Sequence, residues 1–258
     1  MDVVGQLIEA AQRLSAICDA AIPVLEKKSS VEHATNPLDY AWPHHVQYLE
    51  KWGGLGATTL LLGMNPGPWG MAQTGVPFGA TGVARDFLEI KARSLETPAN
   101  AHPKRPIEGM ALERQEVSGT RIWNLMQQHY GSAKSTFEHL FVVNHCPLLL
   151  LGERGQNITP NNVPAAVIAP VLEACDEHLR EVVDILGITH IIGIGKYAEQ
   201  RARKALNASK AGVGTSPSGR NISIDTCWHP SPASPLANKN EGADWRANVV
   251  ACLERNGC

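Results

Sequence analysis

The chain has 258 residues, of which 43% are hydrophobic and 19% charged, so it can bury one large core and we expect a single domain over residues 1–258. A formal net charge of -2 excludes a uniformly basic surface, and any nucleic-acid-binding surface must be local. The six cysteines form no C-x-x-C pair, which argues against zinc or an iron–sulfur centre.

No apolar run reaches the roughly 18 residues that could span a bilayer, and we expect neither a secretory signal nor a membrane partner. The cysteines are most simply interpreted as reduced thiols. We therefore expect a cytoplasmic, nucleoid-associated protein if the chain is bacterial, or a nuclear one if it is eukaryotic.

Apolar periodicity predicts helices that alternate with short hydrophobic strands. An N-terminal helical extension, residues 1–34, is expected to pack on the rest. Buried strands are predicted at 58–62, 140–143, 190–194 and 222–227, and Ser118 is the predicted N-cap of an intervening helix. This alternation predicts an α/β fold whose short, mostly parallel four-stranded sheet is flanked by helices on both faces.

A polar motif follows each predicted strand. In chain order the motifs are GMNPGPWG at 63–70, NHCP at 144–147, GKY at 195–197 and WHPSP at 228–232. Ligands of an open parallel sheet bind beyond the carboxyl ends of its strands, because loops and helix N-termini converge there. The sequence therefore predicts one site at this edge of the sheet.

Each motif taken alone has a purely structural interpretation. Asn65 could begin a turn, Asn144 could cap a loop, and His229 and Phe78 could be core residues. The chain has no nucleophile elbow, phosphate loop, zinc-protease motif or paired acids at the strand ends. An asparagine and a histidine at one sheet edge indicate chemistry in which an amide orients water and a fixed donor holds an anionic leaving group.

The motifs resemble the single-strand-selective monofunctional uracil-DNA glycosylases, within the uracil-DNA glycosylase superfamily. The matching segments are NPLDYAW at 36–42, GMNPGPWGMAQTGVPFG at 63–79, VSGTRIW at 117–123, FVVNHCPLLLL at 141–151, GIGKYAEQRARKAL at 193–206 and HPSPASPLANK at 229–239. The resemblance implies an enzyme of base-excision repair that flips uracil out of DNA and hydrolyses the N-glycosidic bond without a lyase step. It implies no cofactor and no metal, and we expect a monomer that acts on single-stranded DNA and on uracil-containing duplexes.

By the same resemblance, Asn65 is the catalytic residue that positions water. His229 is the catalytic donor to uracil O2, where negative charge develops as the base departs. Asn144 matches the residue that reads the N3–H and O4 edge, and Phe78 matches the platform on which the flipped base stacks.

The resemblance also assigns Met64, Gly67 and Met71 to substrate binding. Gly67 and Met71 leave room for water beside C5 of the base, which implies that oxidised uracils such as 5-hydroxymethyluracil are accepted and thymine is rejected. The segment from His229 to Lys239 matches the wedge that enters DNA, with expected DNA contacts at Pro230, Ser231, Pro232, Ala233, Ser234 and Lys239.

The family usually has an arginine directly after HPSP, where this chain has Ala233. A weaker wedge predicts a preference for single strands or U:G mispairs, because flipping costs least there. Two alternatives stay open: a hydrolase of free nucleosides with the same asparagine and histidine, and a non-catalytic nucleic-acid-binding module.

Overall fold

The computed structural model describes residues 2–258. Its strands are β1 (His33–Thr35), β2 (Thr59–Gly63), β3 (Leu140–Asn144), β4 (Leu149–Leu151), β5 (His190–Ile194), β6 (Val213–Thr215) and β7 (Asn221–Cys227). Its helices are α1 (Val3–Lys28), α2 (Pro37–Tyr40), α3 (Trp42–Trp52), α4 (Met71–Thr74), α5 (Thr81–Asp86), α6 (Val117–Tyr130), α7 (Ala133–His139), α8 (Ala165–Leu186), α9 (Lys196–Ala205), α10 (Pro235–Asn238) and α11 (Ala243–Arg255).

The central sheet has the strand order β3-β2-β5-β7-β6. β3, β2, β5 and β7 are parallel and correspond to the predicted strands, which confirms the mostly parallel α/β fold. The sheet has five strands rather than four, because β6 pairs antiparallel with β7 at one edge. β6 has three residues, two of them exposed, so it carries no apolar run that sequence reasoning could find.

Every residue of β2 and β3 is buried. Since successive side chains of a strand point to opposite faces, burial of all of them requires that both faces of the sheet are covered. One core cluster joins these strands to aromatic residues of α3, α6 and α7, among them Tyr48, Trp52, Trp123 and Phe137. The strand ends are therefore anchored in a rigid core.

The N-terminal helix α1 packs on α8, with Leu14 and Cys18 in a second core cluster that also contains Val171 and Cys175 of α8. The short strands β1 and β4 pair antiparallel, so the chain after α1 is joined to the segment that follows β3. None of the described helices combines the length and apolarity needed to cross a membrane.

Helix α6 begins two residues earlier than predicted. Glu116, and not Ser118, occupies its N-cap position, so the predicted N-cap is wrong. The polar segment before it is fastened to α4 by the buried side chain of Gln73, whose Oε1 accepts hydrogen bonds from the backbone amides of Glu108 (2.8 Å) and Gly109 (3.0 Å). This attachment brings the start of α6 next to the loop after β2.

Candidate active site

The carboxyl ends of β2, β3 and β7 open into one cavity of about 440 Å³. Of the residues predicted for the site, it is lined by Met64, Asn65, Gly67, Met71, Phe78, Asn144, His229, Ser231 and Ala233. Pro230, Pro232, Ser234 and Lys239 lie in the same segment as His229 but do not line the cavity. Sequence reasoning missed other lining residues, namely Pro68, Glu116, Ser118, Asn157 and Thr159.

The ends of β2 and β3 meet at Gly63 and Asn144, which are paired in the parallel register. A Cβ at Gly63 would lie 2.1 Å from Asn144 Oδ1 and 2.6 Å from Cε2 of Phe78. Since side-chain atoms do not approach so closely, only glycine lets the amide and the ring both lie over the end of β2. Asn144, the candidate that reads the base, and Phe78, the candidate stacking platform, are thus held next to each other.

Asn65 follows this strand end. Its Nδ2 donates to the backbone oxygens of Pro66 (3.3 Å) and Leu148 (3.4 Å). Its Oδ1 is buried and has no hydrogen-bond partner among the described residues. A buried acceptor left unpaired costs free energy, so this oxygen is suited to accept a hydrogen bond from a bound water.

His229 follows β7 on another wall of the cavity. The backbone N–H of Ser231 donates to His229 Nδ1 at 3.0 Å, so in the neutral ring Nδ1 is the acceptor and Nε2 carries the hydrogen. Burial lowers the pKa of His229 below its usual 6.5, which keeps the ring neutral near pH 7. The Ser231 backbone thus fixes a neutral donor at Nε2.

Asn144 contributes the amide of a buried residue to the lining of the cavity. Its Nδ2 lies 3.2 Å from the sulfur of Met71, a weak acceptor, and its Oδ1 is buried without a partner within residues 2–258. An amide with a free acceptor and a weakly engaged donor can pair with adjacent N–H and C=O groups of a planar ring. That is the pattern of the N3–H and O4 edge of uracil.

Phe78 adopts φ 54°, a left-handed conformation that is unfavourable for a bulky residue. Contacts of its backbone hold Phe78 in this conformation. The Phe78 carbonyl oxygen accepts a hydrogen bond from the Ala80 amide at 2.9 Å, and it lies only 2.0 Å from the position that a Cβ of Gly119 would take. Trp123 Nε1 donates to the neighbouring Pro77 oxygen at 3.3 Å. Strain of this kind is typical of functional sites, where it fixes the ring as a platform.

Next to Asn144, at the end of β3, lies a series of hydrogen-bonded polar side chains. His145 Nε2 lies 2.8 Å from Asp176 Oδ1, its Nδ1 lies 3.1 Å from the Tyr197 hydroxyl, and Asp176 Oδ2 accepts from Arg201 Nη2 at 2.5 Å. Burial alone would raise the pKa of Asp176, but the hydrogen bonds from His145 and Arg201 keep it below its usual value. Arg201 is therefore occupied within the fold and is not a free cation for DNA.

The segment after His229 is fastened by Arg121 of α6. Arg121 Nη1 donates to the Pro230 oxygen at 2.8 Å, and its Nη2 donates to Asn238 Oδ1 at 3.0 Å. At the surface of this segment, Leu236 on α10 is 44% exposed. Lys239 lies nearby, 3.4 Å from Asp244 Oδ2 in an exposed ion pair.

Within residues 2–258, no group of three or more His, Cys, Asp or Glu side chains is arranged to hold a metal ion.

Comparison with known proteins agrees with the cavity geometry. A family model described as the uracil DNA glycosylase superfamily matches residues 50–252.

The chain is 44% identical over 204 residues to the single-strand selective monofunctional uracil-DNA glycosylase of Rattus norvegicus, covering 79% of this chain and 70% of the relative. It is 44% identical over 222 residues to the Mus musculus protein of that name, covering 86% and 75%. The chain therefore belongs to the single-strand-selective monofunctional uracil-DNA glycosylase family. A crystal structure of wild-type Pedobacter heparinus SMUG2 has the same fold, with a TM-score of 0.60, 17% identity and coverage of 87% of this chain and 86% of that one.

Proposed function

We propose that this protein is a monofunctional uracil-DNA glycosylase of base-excision repair, which removes uracil and oxidised uracils such as 5-hydroxymethyluracil from DNA. One observation carries the proposal: Asn65, Phe78, Asn144 and His229, from four separate segments, line one cavity. Its volume of about 440 Å³ accommodates a single flipped base with its sugar.

The geometry supports hydrolysis by water. The base stacks on Phe78 while Asn144 accepts from N3–H and donates to O4, a pairing that cytosine, with an amino group at C4, cannot make. Asn65 Oδ1 accepts from the water that attacks C1′. As the C1′–N1 bond breaks, its electron pair stays with the base, and His229 Nε2–H stabilises the charge on O2 until the base takes up a proton.

The absence of a lyase step follows from the lining of the cavity. A lyase step requires an amine that attacks C1′ and forms a Schiff base. No lysine lines the cavity in the part of the chain that the structure describes. Water is therefore the nucleophile, and the product is an abasic site.

DNA contacts are supported at two places around the cavity. Trp69 follows Pro68, which lines the cavity. Two arginines make cation–π contacts with the Trp69 ring: Cζ of Arg114 lies 4.4 Å and Cζ of Arg105 lies 5.0 Å from the ring centroid. Both cations contact the neighbour of a cavity-lining residue, and they can bind phosphates without a basic net charge. On the wedge segment, exposed Leu236 offers an apolar side chain for insertion between bases, in a segment where Ala233 lacks the usual arginine.

A short wedge favours single strands and U:G mispairs as substrates, because extrusion from a matched duplex costs most. We further propose that the enzyme acts as a monomer, in the bacterial cytoplasm at the nucleoid or in a eukaryotic nucleus.

The test is a single-turnover incubation with uracil-containing oligonucleotides, single-stranded and duplex, followed by hot alkali and a gel. Free uracil and alkali-dependent strand cleavage are expected, and in Asn65→Ala both should form about 10²- to 10³-fold more slowly. Lys27→Ala, an exposed change at the end of α1, serves as a control with unchanged activity. Release of base from deoxyuridine but not from DNA would favour the nucleoside hydrolase, and DNA binding without free base would favour a non-catalytic module.

A further inference from the structure

Arg121 joins helix α6 to the segment that contains the wedge. Its Nη1 donates a hydrogen bond to the Pro230 oxygen at 2.8 Å, and its Nη2 donates to Asn238 Oδ1 at 3.0 Å. Asn238 Nδ2 in turn donates to the Pro232 oxygen at 2.7 Å. One guanidinium group, with its donors in a fixed fork, thus holds both ends of residues 230–238.

The wedge segment has few other attachments to the fold. Among the described residues, Arg121 is the only one outside 229–242 that forms a hydrogen bond with residues 230–238. More than half of the residues in 230–238 are exposed, so apolar packing contributes little to holding them. The position of this segment therefore depends on one side chain of α6.

The hydrogen bond to Pro230 also acts on His229. The C=O of Pro230 and the N–H of Ser231 belong to the same peptide group, and this N–H donates to His229 Nδ1 at 3.0 Å. Because a peptide group is planar, a donor that fixes the direction of its C=O also fixes the direction of its N–H. A guanidinium group at the oxygen also polarises the peptide group and strengthens the hydrogen bond that its N–H donates. Arg121 thus controls the tautomer and the orientation of the His229 ring through one peptide group.

The same helix supports the stacking platform. A Cβ at Gly119 of α6 would lie 2.0 Å from the Phe78 oxygen, so the backbones of the two residues are in direct contact. Trp123, one turn further along α6, donates from Nε1 to the Pro77 oxygen at 3.3 Å. Helix α6 therefore connects the platform under the base with the segment that carries the wedge.

We propose that Arg121 is a positioning residue for base excision. It orients His229 through the peptide group before Ser231, and through Asn238 it keeps the wedge next to α6. This inference rests on the proposed function. Attraction of DNA phosphates would require only the positive charge of Arg121, whereas positioning requires two donors in a fixed fork. The two roles therefore predict different results for a lysine at this position.

The experiment measures the single-turnover rate of uracil excision at saturating enzyme, and the enzyme concentration that gives half of this rate. Arg121→Ala should lower the saturating rate roughly tenfold on single strands and roughly a hundredfold on a matched duplex, where the wedge is needed as well. Arg121→Lys keeps the charge without the fork and should recover at most about threefold of either loss. Gln128→Ala, an exposed change on the same helix, should leave both rates unchanged.

A double variant shows whether Arg121 acts through His229. In the His229→Ala background, Arg121→Ala should lower the single-strand rate by less than about threefold, because the ring that Arg121 orients is absent. A full further tenfold loss would mean that the two residues act independently, and it would overturn the inference. Arg121→Lys with the wild-type saturating rate, or a loss confined to the half-saturating concentration, would show a purely electrostatic role and would also overturn it.

Nitrogen NMR of the His229 ring gives a readout that a general loss of stability does not change. At a pH where the ring is neutral, the wild type should show Nδ1 without and Nε2 with a hydrogen, and the signals are assigned by comparison with His229→Gln. In Arg121→Lys, which covers the case in which Arg121→Ala does not fold, the two shifts should move towards each other as the second tautomer becomes populated. Wild-type protein that releases no uracil would refute the proposed function. Wild-type excision together with unchanged rates and shifts in the Arg121 variants would overturn this inference alone.

Discussion

The buried carboxyl of Glu116 makes folding stability depend on pH in a direction opposite to that of most carboxylates. Its pKa rises from 4.5 to about 7 because burial disfavours the charged form. The folded state therefore prefers the neutral acid. Its contribution to stability is fully present below the unfolded-state pKa of 4.5 and is lost as pH rises through about 7.

Glu116→Gln replaces the acid by a group of similar shape that stays neutral at all pH values. The free energy of unfolding of the variant, relative to the wild type, should increase by about 2.5 kcal/mol between about pH 5 and about pH 8.5. The full penalty of ionisation well above neutrality is roughly 3 kcal/mol. Urea denaturation of both proteins at the two pH values, followed by tryptophan fluorescence, measures this difference directly.

Using the difference between variant and wild type removes the contribution of every other group that titrates over this range. Glu113→Gln is the matched control, because Glu113 is exposed in the same segment, and its difference from the wild type should not change with pH. If Glu116→Gln shows the same stability difference at both pH values, the carboxyl is not buried and neutral, and the reasoning is refuted.

Three further predictions concern the cavity and the wedge. Asn65→Ala and His229→Ala should each lower single-turnover excision about 10²- to 10³-fold with an unchanged circular dichroism spectrum, and a loss below tenfold would argue against the assigned roles. Gly63→Ala should destabilise the fold by about 1 to 3 kcal/mol in urea, and it should reduce excision because Phe78 and Asn144 are displaced. Leu236→Ala should reduce excision from a matched duplex roughly tenfold while single-stranded excision stays within about twofold, and equal losses on both would exclude a wedge role.

The parallel strands and their order along the chain could be predicted because each is a short apolar run that contrasts with its surroundings. The joint placement of Asn65, Asn144 and His229 could be predicted for a topological reason, since parallel strands deliver their C-terminal residues to one edge of the sheet. Neither inference needs side-chain detail. β2 and β3 are buried on both faces of the sheet, which is why their sequences are continuous apolar runs.

The features that sequence reasoning missed depend on long-range packing. Edge strand β6 exists because β7 offers it backbone hydrogen bonds, and its own three residues carry no apolar pattern. Ser118 is a better intrinsic N-cap than Glu116, yet packing against the loop after β2 decides where α6 begins. Glu116 lies in a polar segment rich in charged residues, where a glutamate would be expected in solvent.

The glycines of GMNPGPWG connect these observations. Proline and glycine alone would give a tight turn after β2, but a turn does not show what packs against Gly67, Gly70 and the distant Gly119. The Glu116 carboxyl occupies the space beside Gly67 and Gly70, and the Phe78 carbonyl oxygen occupies the space beside Gly119. The loop that carries Asn65 therefore packs against a carboxyl group that also lines the cavity.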